Sequence, residues 1–332
     1  SALTVPTTRY RTRRGLPAGV VPAGRADAAA SHPHPPLAVM LVLTQLSVGS
    51  FAADLVLRAF AGRAVADTLR PDNAVVALAL GLLALGASVG HLGRPAYAWR
   101  AMIGLRHSWL SREIAAFSAF AALAFAYAGV LRFGPTGSGA ADLLGLAVVT
   151  SGAAGVACSV RLYAVTGRVW WRARTTAPRF ALTCVVAGLA TTLAVSLVTA
   201  ALRGGAPGDL VAAEVGVPLA LSLTLATTVK LSWEALGLWA GRRRSSPLAA
   251  SVRLLVGPGL RRITHTRFAL GTLGGLVAPL AVVAAAASPN PPMAAAAAAA
   301  VLGAVALTAG ELCERAGFFG AVTSPGMPRP LP

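Results

Sequence analysis

Apolar residues gather in eight long runs, at about 37–60, 74–93, 111–131, 141–164, 179–202, 214–240, 267–288 and 293–314, and polar residues collect between them. Each run reaches the ~20 predominantly apolar residues that cross ~30 Å of hydrocarbon at ~1.5 Å per residue. Only a helix pairs all its backbone N–H and C=O groups within one segment, so runs of this length in lipid are helices. The pattern predicts an all-α, polytopic membrane bundle of eight transmembrane helices over residues 36–320. Pro, Gly and Arg bound the runs, as in Pro35-Pro36, Arg94-Pro95, Gly134-Pro135 and Pro289-Asn290-Pro291-Pro292. Gly, Ala, Ser and Thr are frequent within them and allow close helix packing. Residues 1–35 are rich in Pro, Gly, Ala and Arg without apolar periodicity and form a tail or linker, and 321–332 form a C-terminal tail.

Composition points the same way. Hydrophobic residues make up 56% of the 332 and charged residues 12%, with mean hydropathy +0.68, whereas a soluble domain carries about 25% charged residues. The net charge of +18 raises the possibility of a nucleic-acid partner. Yet 28 of the 29 basic residues are Arg, placed between apolar runs, as in the cytoplasmic loops of a membrane protein. The N-terminal tail, the second, fourth and sixth loops and the C-terminal tail hold 23 Arg, and the other side holds five: Arg58, Arg63, Arg70, Arg132 and Arg203. This asymmetry predicts a multi-pass protein of the inner (cytoplasmic) membrane with both termini cytoplasmic. Cys158, Cys184 and Cys313 lie far apart inside apolar runs and are expected as buried free thiols. The chain opens on Ser1 with no visible cleavable signal peptide, as a processed, engineered or internal start would.

Ionisable groups inside spans are costly and mark candidate function. Gln45 is placed either to bond a ligand oxygen or to tie two helices together. Asp54 is within reach of Arg58 four residues on, a local pair. His91 ends the second span, where it is a solvated or capping residue or, with a neutral-range pKa, a proton acceptor and donor. Glu113 follows Ser111 and Arg112 at the start of the third span. It either complements the helix dipole or faces His91 at the same membrane surface. Arg161 and Tyr163 close the fourth span, where Arg161 snorkels. Lys230 with Glu234, and Glu311 with Arg315, are pairs four residues apart. No His lies in mid-span to ligate haem, and no Cys cluster or metal-ligand spacing is present. Any redox chemistry here would use a binding pocket in this chain and metals in a partner.

The second loop carries His91-Leu92-Gly93-Arg94-Pro95, Ala98-Trp99-Arg100-Ala101 and Ser108-Trp109-Leu110-Ser111-Arg112-Glu113-Ile114. With Thr44-Gln45-Leu46-Ser47-Val48-Gly49, Arg161-Leu162-Tyr163 and Ala309-Gly310-Glu311-Leu312 followed by Arg315 and Phe318-Phe319, it resembles the dimethyl sulfoxide reductase membrane anchor family over about 37–320. The resemblance implies eight helices with no metal of their own. The implied partners are a ferredoxin-like subunit with four [4Fe–4S] clusters and a molybdopterin catalytic subunit, as in anaerobic respiration. It also implies exchange of electrons and protons with a quinol, typically menaquinol. His91 and Glu113 match the proton-exchanging pair of that quinol site; Gln45, Arg100, Ser111, Arg161 and Tyr163 are expected around the head group, and Glu311 and Arg315 as structural or proton-path residues. Thr4-Val5-Pro6-Thr7-Thr8-Arg9-Tyr10 resembles the C-terminal tail of such iron–sulfur subunits, which would make this chain the membrane half of a fusion.

Two other readings fit the pattern. A polysulfide- or nitrite-reductase-type anchor would add proton conduction through buried acids, for which Asp54 and Glu234 are the hints. A small-solute transporter would show inverted repeats with broken helices. No such symmetry is visible, although Pro218 and Pro279 interrupt their spans.

Overall fold

Every long apolar run is a helix in the structure, a computed structural model that describes residues 21–22, 30–31, 34–60, 62–90, 95–134, 139–203, 212–243, 248–288, 293–323 and 328–329. Eight helices are long and apolar enough to cross a membrane, and the chain is an integral membrane protein. In chain order they are α1 (Pro35–Phe60), α2 (Arg63–Val89), α3 (Trp109–Phe133), α4 (Gly139–Ala164), α5 (Ala173–Arg203) and α6 (Val217–Gly241). A short helix, α7 (Ala249–Val256), precedes the seventh span, built from α8 (Arg261–Thr272) and α9 (Ala278–Ala286); α10 (Met293–Gly320) is the eighth. The proline interruptions are local. Turns of π-helix at Ala212–Gly216 and Leu273–Val277 precede Pro218 and Pro279, whose missing N–H groups leave a gap in the helical ladder.

The helices extend beyond the apolar runs, and this changes where charges lie. α2 begins at Arg63 and runs through Pro71, eleven residues before the expected 74; α5 begins at Ala173 instead of 179, α8 at Arg261 instead of 267, and α10 ends at Gly320 instead of 314. Arg70, Arg179, Arg267 and Arg315, assigned to loops by the charge count, are therefore helical and buried. Removing them leaves 20 Arg on one side and four on the other, so the asymmetry survives.

α1 and α5 are the most enclosed spans and form the axis. They touch backbone to backbone: a Cβ at Gly49 would stand 1.8 Å from the Cys184 carbonyl oxygen, and one at Gly188 would stand 2.3 Å from the Gly49 carbonyl carbon. Around the axis are two cores. One is aromatic, with Phe51, Phe117, Phe120, Tyr127, Tyr163, Phe180 and Phe318, mainly from α1 to α4. The other is aliphatic, with Leu193, Leu197, Leu219, Leu223, Val282 and Leu307, mainly from α5, α6, α9 and α10. The two ends of the chain meet on one face: the Ser31 N–H donates to the Gly320 carbonyl (2.9 Å), and Val21–Pro22 pair with Pro328–Arg329. Cys158, Cys184 and Cys313 are free thiols, half-buried where full burial was expected.

Candidate functional site

α3 starts at Ser108-Trp109, one turn before the expected Ser111. Ser108 is the cap, in extended backbone, with its hydroxyl accepting from the Ser111 N–H (3.3 Å). Ser111 is buried, and Glu113 lies beyond the first turn, so the helix-start role belongs to neither. Glu113 opens a buried stripe continued by Phe117, Phe120, Ala124 and Tyr127 at helical spacing. Its carboxylate, 3% exposed, accepts a hydrogen bond from the Ser159 hydroxyl of α4. Among the described residues no cation forms an ion pair with it. His91 and its neighbours to Arg94 lie outside the described residues, as does the side chain of Arg58.

Tyr163 stands one turn after Ser159, on the same face of α4. It is buried edge-on against Trp171 (5.1 Å), Phe318 (5.2 Å), Phe319 (5.8 Å) and Phe180 (6.1 Å). Against two of these rings sits Arg315, its guanidinium 4.3 Å from the centre of Phe180 and 5.6 Å from that of Phe318. Arg315 donates to Gln45 Oε1 (2.9 Å) and Thr183 Oγ1 (3.2 Å) and pairs with Glu314 (3.3 Å). Gln45 thus ties α1 to α10, while its Nε2 is enclosed without a protein partner among the described residues.

Glu311 does not pair with Arg315. It takes Arg267 (2.9 Å), Lys230 (3.3 Å) and the Thr183 hydroxyl (2.7 Å), because its position on α10 faces α5, α6 and α8. Lys230 and Glu234 do pair (3.0 Å), and Glu234 also holds Arg267 (3.0 Å) while Arg179 holds Glu314 (3.0 Å). The result is one network of four cations and three carboxylates, every member nine-tenths or more buried. Buried charges are tolerated only when paired and hydrogen-bonded, and the excess of one positive charge favours an anionic neighbour. A cavity of about 100 Å³ reaches this network between Trp170, Trp233, Glu234, Arg267 and Phe318.

The remaining expected residues stand apart. Arg100 is exposed at the Arg-rich surface, over the Tyr97 (5.3 Å) and Trp99 (5.9 Å) rings, and Arg161 is exposed over Trp109 (5.5 Å). Glu113 and Tyr163 are thus brought to one side of α4 through Ser159; Gln45, Glu311 and Arg315 form the adjoining network; Ser111 is buried beside the Ser108 cap; and the two arginines lie outside all of these. Sequence reasoning missed Ser159, Thr183, Arg179 and Arg267. The two arginines were counted as loop charges, and nothing marks one Ser or Thr among many as a carboxylate's partner.

The partner expected for Asp54, Arg58, has its side chain outside the described residues. Among the described residues, Asp54 is held from other helices by the Tyr127 hydroxyl (2.6 Å) and Arg70 Nε (3.4 Å). Arg70 further donates to Tyr127 (2.8 Å) and Asp142 (3.1 Å). This cluster lies at the Arg-poor end of α1 to α4.

On the outer surface, α1, α4, α5 and α6 leave an apolar groove of about 890 Å³, lined by Gly49, Ala52, Ala157, Val160, Ala181 and Cys184 among others. It passes Gly49, one turn from Gln45, and Val160, next to Ser159.

Comparison with known proteins bears on this arrangement. A family model described as DMSO reductase anchor subunit (DmsC) matches residues 29–231. One of the subunits of the sulfite dehydrogenase of Allochromatium vinosum is 40% identical over 103 residues, 28% of this chain and 31% of that protein. The match thus spans about a third of the relative's length.

Proposed function

The chain belongs to the DMSO reductase anchor subunit family, and from that premise we propose that it is the membrane anchor of a molybdopterin oxidoreductase, exchanging electrons and protons between the quinone pool and an iron–sulfur partner subunit. The observation that carries the reading is Glu113: a carboxylate buried at the Arg-rich membrane surface, held by the Ser159 hydroxyl and, among the described residues, by no ion pair. A carboxylate paired for stability would sit against a cation, as the three glutamates of the adjoining network do. A quinol giving up electrons must also give up protons, and acceptors at the hydroxyl positions speed that step. Glu113 supplies one such acceptor, and His91, by its family resemblance, the other.

The surroundings fit a quinone's two parts. Tyr163, Ser111, Ser159 and the free amide nitrogen of Gln45 offer hydrogen bonds to a head group. The positive excess around Arg315 favours negative charge on a head group that has lost protons. The apolar groove beside Gly49 and Val160 suits an isoprenoid tail, whose burial needs continuous apolar surface. Exposed Trp99, Tyr97 and Ile103 with Arg100 and Arg106 suit the Arg-rich face to docking an acidic iron–sulfur subunit, and the arginine excess on that face supports cytoplasmic termini. Menaquinone is the expected quinone.

The test is purification through this chain in mild detergent, with metal analysis and mass spectrometry of what accompanies it. The expected result is iron and molybdenum in fixed ratio to the chain, carried by two further subunits or by a fusion partner. A metal-free chain from intact membranes would overturn the proposal.

A further inference from the structure

The cavity of about 100 Å³ beside the charged network lies among the start of α5, the end of α6, the start of α8 and the end of α10, with Leu248 and Leu255 of the α7 segment on its wall. These helix ends all belong to the Arg-rich surface. α7 is amphipathic: it buries Ala249, Val252 and Leu255 and exposes Arg253, as a helix lying along a membrane interface does. Gly237 lines the cavity and is exposed, so the cavity opens on the outer side of α6, where Leu236 is exposed as well.

The wall is mostly apolar, with Trp170, Leu238, Ile263 and Phe268, yet it carries two donors without acceptors. Arg179, 8% exposed, sets its Nε 3.0 Å from Glu314, a carboxylate that it shares with Arg315 (3.3 Å). Among the described residues neither Nη of Arg179 donates a hydrogen bond, and the indole N–H of Trp233 has no acceptor. A buried guanidinium with open donors and half a carboxylate is costly unless an anion completes it. Glu234 and Glu314 also reach the wall, each already held by two cations. Charge around the mouth has one sign: Arg242, Arg243, Arg253, Arg261 and Arg262 are exposed, and residues 238–267 contain no Asp or Glu.

We propose that this cavity holds the phosphate of one anionic phospholipid, phosphatidylglycerol or cardiolipin. The phosphodiester oxygens accept from Arg179 and Trp233, and the single negative charge compensates Arg179. The acyl chains leave past Gly237 onto the lipid-facing side of α6. The arginines around the mouth favour an anionic lipid over a zwitterionic one, as basic pockets between transmembrane helices do in general. The volume equals about three times the ~30 Å³ that a water occupies in the liquid, room for one phosphate group. The lipid acts as a structural ligand, tying the ends of α5, α6 and α8 to the interfacial helix α7. The site is separate from Glu113 and involves no electron transfer, so it does not depend on the quinone reading.

The test uses the full chain purified in mild detergent, with any subunits that accompany it. Native mass spectrometry reads the lipid retained, and melting is followed with added phosphatidylglycerol, phosphatidylcholine or inorganic phosphate. The wild type is expected to retain one anionic phospholipid and to melt several degrees higher with phosphatidylglycerol than with either of the others. Gly237→Phe obstructs the mouth while leaving every ion pair in place, because a Cβ at 237 meets nothing within 4 Å. It is expected to lose both the retained lipid and the phosphatidylglycerol effect. Equal melting with phosphatidylcholine, an equal effect of inorganic phosphate alone, or a retained quinone in place of phospholipid overturns the proposal, as does a Gly237→Phe variant that behaves as the wild type. If Gly237→Phe does not fold, Trp233→Phe decides: several-fold weaker lipid retention is expected, and unchanged retention overturns the proposal.

Discussion

Glu113 of α3 takes the hydroxyl of Ser159 on α4, in a chain where the other fully buried carboxylates among the described residues are held by arginine or lysine. That contrast separates a group kept for chemistry from groups kept for architecture, and the two make different predictions.

The network around Glu311 is architecture. Glu311→Ala removes the shared partner of Arg267 and Lys230 and leaves two buried cations less compensated. Breaking a buried ion pair costs about 3–5 kcal/mol. The variant is expected to lose thermal stability in detergent, measured by fluorescence-detected gel filtration after heating, and Glu311→Gln to lose less because it keeps a hydrogen bond to Thr183.

The α1–α5 crossing is the second architectural element. Gly49→Val adds atoms where even a Cβ meets the Cys184 carbonyl at 1.8 Å, with backbone on the far side that has no room to move. Overpacking typically costs about 1–3 kcal/mol, more where backbone must shift. Low accumulation of folded protein is expected, and Gly86→Val, where a Cβ meets nothing within 4 Å, serves as the tolerated control.

The number of spans, their helical nature and the sidedness of arginine were legible in the sequence because lipid imposes them residue by residue. The ends of the helices were not. Arg70, Arg179 and Arg267 lengthen α2, α5 and α8 only because Asp54, Glu314, Glu234 and Glu311 on other helices neutralise them, and pairing between helices has no sequence period. For the same reason, spacing of four residues correctly paired Lys230 with Glu234 but misassigned Glu311 to Arg315. Of the candidate site, Glu113 and Tyr163 were found through a motif, whereas Ser159 and Thr183 are visible only once α4 and α5 are packed.

His91 lies outside the described residues, and its role is tested by function. His91→Ala is expected to abolish quinol-dependent turnover while the complex still assembles. Normal turnover in a fully assembled variant would remove His91 from the site.

The most direct measurement is quinol oxidation by the purified complex carrying Glu113→Gln, set beside its activity with an artificial donor that bypasses the membrane subunit. Removing a positioned proton acceptor typically costs about 100- to 10,000-fold. The expected result is a loss of that order with quinol, with donor activity, subunit ratio and metal content unchanged. Wild-type quinol oxidation by an intact Glu113→Gln complex would contradict the account.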